Sequence, residues 1–198
     1  AVLTREPEQR GERRVEILWD AEPSVRIGWH VPSAKDPDAP AMALLSSLLT
    51  GGRTSRLYRR LVQQSRIATG VFASMGPGER YPELFQLDAS PRAPHTTAEV
   101  EAAIYEEIDR LAEEGPTEAE LTRVRNQIEA GQVRRLQSNL GLAFQLAESA
   151  TLFGDWRATF RLPQRWAEVT PADVRRVAAT YLTEANRTVA TLRREGGS

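Results

Sequence analysis

The chain lacks several residue types on which whole classes of protein depend. Its 198 residues include no cysteine and two histidines, and a single lysine, Lys35, stands among 26 basic residues. Without cysteine the chain can form neither a disulfide nor a thiolate metal site, and it has no thiol nucleophile. No segment approaches the roughly 18 consecutive apolar residues of a membrane-spanning helix. The polar start, residues 1–14, is unlike a signal peptide. We therefore expect no disulfide framework and no membrane span.

Charge and composition indicate an ordinary globular domain. The 26 basic and 27 acidic residues give a formal net charge of -1, so the chain has no overall attraction to polyphosphate. We therefore expect no nucleic-acid binding from charge alone. The length and a hydrophobic fraction of 40% fit one domain with its own core. We predict a linker at residues 1–14, a single domain at 15–193 and a polar tail at 194–198.

Hydrophobic periodicity predicts alternating groups of strands and helices. Alternation and β-branched residues predict five strands, at Val15–Trp19, Ser24–Val31, Ile67–Ser74, Glu83–Ala89 and Thr188–Leu192. Apolar spacing and capping signals predict helices at Ala41–Leu49, from Thr54 or Ser55, from Thr96, from Thr117 to Leu140 and from Thr170, with a less regular helical region at Phe144–Trp166. This order favours an α+β domain whose strands pair in antiparallel fashion with helices on one face.

The two histidines do not have the spacing of a zinc hydrolase. Such sites commonly take two histidines from adjacent turns of one helix. Here His30 ends a predicted strand and His95 lies in a loop between prolines. No Gly-x-Ser-x-Gly elbow is present for a serine nucleophile. Acidic residues at helix ends, such as Glu118 and Glu120, are explained by solvation and the helix dipole. We therefore expect no catalytic residue and no metal ligand in this chain.

An arginine-rich segment allows an alternative function. The turn Gly51–Arg56 resembles an anion-binding loop but lacks the Gly-Lys-Ser/Thr ending of a phosphate loop, and a helix stop followed by a cap accounts for it. The helix spanning Arg53–Arg66 could still bind an acidic partner or nucleic acid. A solvated face is favoured, because most of these positive charges are offset by acidic residues elsewhere in the chain. The arginines in question are Arg53, Arg56, Arg59, Arg60 and Arg66.

The segment from Leu48 to Tyr58 resembles a family signature. It reads LLTGGRTSRLY and matches the pattern Leu-x-Gly-Gly-x-x-Ser-Arg-Leu-Tyr of the pitrilysin/insulinase family of zinc peptidases. The matching positions are Gly51, Gly52, Ser55, Arg56, Leu57 and Tyr58. Weaker motifs stand in the order of that family's second homologous domain and together span nearly the whole chain: Gly11–Val15, Pro37-Asp38, Gly115–Leu121, Val169–Val174 and Tyr181-Leu182.

This resemblance implies the α+β fold of half a mitochondrial processing peptidase subunit, with an antiparallel-rich sheet and helices packed on one face. In that family an inverted H-x-x-E-H motif in the first half binds zinc. The motif is absent from this sequence, which is therefore similar to the non-catalytic C-terminal domain. The resemblance implies no cofactor here, zinc on the N-terminal half, and a role in enclosing the peptide substrate of a bacterial endopeptidase. The compartment, periplasm or cytoplasm, stays open.

The resemblance also implies partners. These are the zinc-bearing N-terminal domain, a homologous subunit or second copy, and a peptide. Active assemblies of the family use an Arg and a Tyr just after the signature, and Val62 and Thr69 replace them here. Neither can act as a guanidinium or phenol donor. We therefore expect this domain to belong to a zinc-bearing subunit whose partner supplies the Arg/Tyr pair, or to a subunit that has neither the zinc site nor the pair. A structural core-type subunit is a further alternative.

We predict that peptide binds at the edge of a strand. The candidate residues are Val71, Phe72, Ala73 and Ser74, in the strand that follows the signature helix. There an extended peptide would add a strand through main-chain hydrogen bonds.

Overall fold

A computed structural model describes residues 6–194, which form one mixed sheet packed against helices. The strands are β1 (Arg13–Leu18), β2 (Ser24–Val31), β3 (Ala68–Gly76), β4 (Glu83–Pro91) and β5 (Arg187–Arg193). Their order is β1-β5-β2-β4-β3, so β1 and β3 are the edges. The pairs β2–β4, β2–β5 and β3–β4 are antiparallel, whereas β1 and β5 run parallel. The α+β class and the antiparallel-rich sheet are confirmed.

Four of the α-helices begin at a side-chain cap. The helices are α1 (Ala39–Thr50), a π-helix (Tyr58–Gln64), α2 (Thr97–Glu114), α3 (Glu118–Leu136), α4 (Asn139–Phe153), α5 (Ala158–Glu168) and α6 (Pro171–Tyr181). Reciprocal capping boxes at Thr96, Thr117 and Thr170 start α2, α3 and α6. Each threonine side chain accepts a hydrogen bond from the backbone N–H three residues later, which satisfies a donor that the helix leaves unpaired.

One face of the sheet forms the core. In β2 the side chains of Val25, Ile27 and Trp29 are fully buried, and Phe85 and Leu87 of β4 lie beside them. The rings of Trp29 and Phe85 have centroids 5.9 Å apart. Apolar side chains of α1, α2, α3 and α6 join the same core cluster. The alternate residues of β2 point to the opposite, more polar face. The helices therefore pack on one face of the sheet, as expected.

The prediction of one helix from Thr117 to Leu140 is wrong. The structure ends α3 at Leu136 and begins α4 at Asn139. The Ser138 side chain accepts a hydrogen bond from the Gly141 N–H at 2.9 Å, so it caps a new helix. Leu140, predicted to belong to the same helix as Leu121, lies in α4 and is 68% exposed.

The helix predicted from Thr54 or Ser55 becomes a π-helix, and neither residue caps it. The Ser55 hydroxyl instead donates to the Gly52 carbonyl at 2.7 Å. At the other end, the Ser65 N–H donates to the Arg60 carbonyl, five residues earlier, as π-helical geometry requires. Leu57 and Leu61 are buried as predicted.

The chain joins the sheet earlier than the predicted domain boundary. β1 begins at Arg13, and the Gln9 side chain donates to the Arg187 carbonyl at 2.7 Å. Residues 1–5 of the predicted linker and 195–198 of the predicted tail lie outside the described residues. Between residues 6 and 194, no helix has the length and apolar character needed to cross a membrane.

Candidate functional site

The predicted binding residues Val71, Phe72, Ala73 and Ser74 lie in β3, at one edge of the sheet. One side of β3 pairs with β4, and no other strand of the described residues pairs with its outer side. Val71 and Ala73 pack against the core, whereas Phe72 is 61% exposed on the other face. The main-chain groups along the outer side of β3 are thus available to a further strand.

β3 is unusual among edge strands because its sequence, ATGVFASMG, contains neither a charged residue nor a proline. Natural edge strands are commonly protected from pairing by such residues or by bulges. The β3–β4 pairing shifts register only at the start of the strand, between Ala68 and Gly70. The opposite edge, β1, reads RRVEIL and carries three charges. β3 is therefore the edge better suited to pair with an added strand.

A cleft opens where β3 ends, between the β3–β4 turn and α4. A cavity of about 240 Å³ and an adjoining groove share the lining residues Met75, Glu79, Glu83, Glu148 and Leu152. Burial raises the pKa of Glu79, and the nearby Glu148 raises it further. Burial also raises the pKa of Glu83, as does the charge of Glu79. The cleft thus combines one buried carboxylate, Glu83, with two exposed ones, Glu79 and Glu148.

Sequence reasoning did not single out this cleft. The signal was present at Glu83, which stands in phase with Phe85 and Leu87 in the alternating pattern of β4. Those two side chains face the core, so the pattern points a carboxylate toward the same side. Glu79 and Glu148 carry no such signal, because only the tertiary fold brings the turn to α4.

The paired glycines of the family signature act in folding. Gly51 ends α1, and a Cβ there would lie 2.3 Å from the Ser47 carbonyl oxygen. Gly52 has φ +93°, which disfavours any residue with a side chain. The Gln127 side chain of α3 donates to the Gly51 carbonyl at 2.9 Å. These two positions therefore form a tight turn that α3 holds in place.

Arg56 of the signature is the centre of an ion-pair network. Its side chain is 13% exposed and donates to both carboxylate oxygens of Glu120, at 3.0 and 2.8 Å. It also donates to the Gly115 carbonyl at 3.2 Å, and Glu107 lies 3.5 Å away. Arg56, together with the Thr117 backbone N–H, lowers the pKa of Glu120 to about 2. This arginine joins the segment that precedes the π-helix to the turn between α2 and α3.

The same network neutralises part of the arginine-rich segment, Arg53–Arg66, for which the sequence allowed binding to an acidic partner or nucleic acid. Besides the pairs of Arg56, Arg60 forms ion pairs with Glu106 and Glu107. Leu57 packs in the core, and Tyr58 is half-buried. Two arginines of this segment thus bind carboxylates of the chain itself.

The described residues do not bring metal ligands together. Between residues 6 and 194, no group of three or more His, Cys, Asp or Glu side chains has an arrangement that could hold a metal ion. The Nδ1 of His30 lies 3.9 Å from a carboxylate oxygen of Glu6, and that of His95 lies 3.5 Å from one of Glu99. Each histidine therefore has one separate carboxylate neighbour.

The two positions that replace the family's Arg/Tyr pair have local structural contacts. Val62 is half-buried and packs against the core. Thr69 is exposed in β3, and its hydroxyl donates to the Ser90 carbonyl at 3.2 Å. The side chains at these positions supply no cationic group to a substrate.

Comparison with known proteins identifies the family. Residues 2–128 match the family model described as the Peptidase M16 inactive domain. The chain belongs to this family. An uncharacterized zinc protease of Streptomyces coelicolor, SCO5738, is 29% identical over 175 residues, which cover 87% of this chain and 38% of that protein. Zinc protease PqqE of Helicobacter pylori is 26% identical over 197 residues, covering 96% of this chain and 43% of that protein. This M16 inactive domain thus spans about two-fifths of the curated relatives it matches.

Solved structures have the same fold. A protease from Helicobacter pylori superposes with a TM-score of 0.89 at 25% identity, over 98% of this chain and 47% of that one. An inactive peptidase domain from Bordetella parapertussis superposes with a TM-score of 0.77 at 24% identity, over 88% of this chain and 92% of that one. The second match shows the fold alone. It spans nearly the whole of the solved chain, so the two chains are similar in extent as well as in fold.

Proposed function

We propose that this M16 inactive domain is the C-terminal, non-catalytic part of a bacterial zinc endopeptidase, in which it binds and helps enclose extended peptide substrates. The observation that carries the proposal is the uncharged outer edge of β3. The curated relatives are zinc proteases more than twice as long as the region matched here, which leaves room in them for a separate zinc-bearing half.

In this proposal β3 holds the peptide by its backbone. The free N–H and C=O groups of β3 pair with an extended peptide, so affinity depends little on the peptide's sequence. Successive peptide side chains point to alternate faces, and those on the open face meet Phe72, which is 61% exposed. Zinc on the other half would supply a Lewis acid and an activated water. The residues of this chain bind the peptide and fix its direction.

Backbone methylation tests strand addition. A labelled ten-residue peptide is compared with two analogues, N-methylated on alternate amides of one side or of the other. We expect one analogue to lose at least tenfold in affinity and the other to bind like the parent, because an added strand uses only one side. Hydrogen exchange of the same complex should protect those β3 amides that have no partner in β4. Equal affinity of all three peptides, or protection confined to β1, would contradict the proposal.

The proposal includes protein partners. These are a zinc-bearing M16 half and a homologous subunit or second copy of the chain, and co-elution at micromolar concentration tests each of them. Binding of nucleic acid through the Arg53–Arg66 helix is disfavoured because Arg56 already pairs with Glu107 and Glu120, and Arg60 with Glu106 and Glu107. A polynucleotide affinity that falls steeply with salt, together with no affinity for a zinc-bearing half, would favour that alternative.

A further inference from the structure

Glu83 is a buried carboxylate with an unsatisfied oxygen. Its residue exposure is 5%, and its Oε2 accepts no hydrogen bond from the described residues. It occupies the first inward position of β4, ahead of Phe85 and Leu87. A charged group in such a place is costly unless it is paired. Local rules of this kind are broken chiefly at functional sites, and this oxygen is open to a donor group of a ligand.

The cavity beside Glu83 combines negative charge with apolar walls. Glu79 and Glu148 also line it, and we call these three residues the acidic cluster. Side chains of Met42, Met75, Leu152 and Trp166 contribute to the walls. A lysine or arginine side chain has the complementary form, an aliphatic stem that packs on apolar surface and a charged end that binds carboxylates.

Two arginines at the cavity leave the acidic cluster unpaired. Arg135 donates to the Gln132 side chain at 3.1 Å, and Arg165 donates to the Asp36 carbonyl at 3.2 Å. Among the described residues neither forms an ion pair with the cluster. Glu148 accepts only a long hydrogen bond, 3.5 Å, from the Gln145 side chain. The three carboxylates have no arrangement that could hold a metal ion, which favours an organic cation.

We propose that this cavity binds a lysine or arginine side chain of the peptide that pairs with β3. Met75 belongs to β3 and lines both the cavity and the groove, so a strand added to β3 continues into the cleft beyond Gly76. The claim that the cationic side chain belongs to a peptide bound to β3 rests on the proposed function. The cavity's affinity for a cationic side chain rests only on its own lining. The site would give a basic preference to an otherwise sequence-tolerant mode of binding.

The methionines provide a local probe of the cavity. The chain contains two methionines, Met42 and Met75, and both line it. We expect N-acetylarginine amide to shift both 13C-labelled methyl resonances saturably, and the uncharged N-acetylcitrulline amide to bind at least tenfold more weakly. Glu83→Gln should weaken arginine amide binding at least tenfold, whereas Glu113→Gln, at an exposed position of α2, should leave it unchanged. Equal responses to the two amides, or unchanged binding in Glu83→Gln, would refute the site.

A surface variant and labelled peptides complete the test. Glu148→Gln alters an exposed residue of the cluster, so it keeps the test decisive if Glu83→Gln does not fold. A peptide with one arginine should bind at least tenfold more tightly than its citrulline analogue, and the variants should remove that difference. Peptides that bind β3 without a basic preference would refute this inference and leave the proposed function intact. Methyl shifts with arginine amide but no protection of β3 by any peptide would refute strand addition instead.

Discussion

Replacing Arg56 by alanine should destabilise the domain by about 3 kcal/mol, toward the lower end for breaking a buried ion pair. The variant removes a bidentate pair with Glu120 and leaves Glu107, whose side chain is 6% exposed, with fewer cationic partners. The lower value is expected because the Glu120 side chain is 19% exposed and keeps its capping bonds to Thr117. At roughly 2–4 °C per kcal/mol for a domain of this size, the melting temperature should fall by roughly 6–12 °C.

Urea and thermal denaturation followed by circular dichroism measure this loss. Arg59→Ala is the matched control, since Arg59 is an exposed arginine of the adjoining π-helix, and we expect its stability to lie within about 0.5 kcal/mol of the parent. Arg56→Lys should fall between the two because lysine keeps the charge but not the planar fork. A double-mutant cycle with Glu120→Ala should give a coupling energy of about 1 kcal/mol or more. If Arg56→Ala unfolds like Arg59→Ala, the structural role given to the signature arginine is refuted.

Three further changes have defined outcomes. The folded-state pKa of Glu120 is lowered from 4.5 to about 2, so its contribution to the free energy of unfolding is present above pH 4.5 and is lost as the pH falls toward 2. In Glu120→Gln the urea midpoint should therefore decrease less between pH 4.5 and pH 2 than in the parent. Gly51→Ala should cost about 2 kcal/mol by overpacking, whereas Gly11→Ala, with open space around it, should be neutral in the same melts. Phe85→Ala should cost about 3–5 kcal/mol by leaving a core cavity, whereas Phe72→Ala should leave stability nearly unchanged and weaken peptide affinity.

Elements with strong local signals could be predicted from the sequence. The Thr96, Thr117 and Thr170 caps lie three residues before an acidic partner, and each starts a helix in the structure. Alternation also correctly predicted strands at the positions of β2 and β4. The end of α3 could not be predicted as well, because Ser138 caps α4 without an acidic residue three positions later.

Long-range pairing and the acidic cleft depended on information that local patterns do not contain. β1 pairs in parallel with β5, from which most of the sequence separates it. The six residues of β1 are all exposed, so their alternation carries no burial signal. The resemblance located the signature, but only the tertiary contacts of Arg56 with Glu120 revealed its structural role. Glu83 was detectable from its phase in β4, whereas Glu148 reaches the same cavity from a distant helix.

Peptide hydrolysis by the purified chain separates substrate binding from catalysis. A quenched fluorescent peptide with one arginine is incubated with the chain at a concentration that saturates binding, with added zinc and with a chelator. We expect a rise in anisotropy of a labelled copy of that peptide and no increase in the cleavage signal under either condition. Zinc-dependent turnover that co-purifies with the chain would contradict the claim that this domain binds substrate without performing the chemistry.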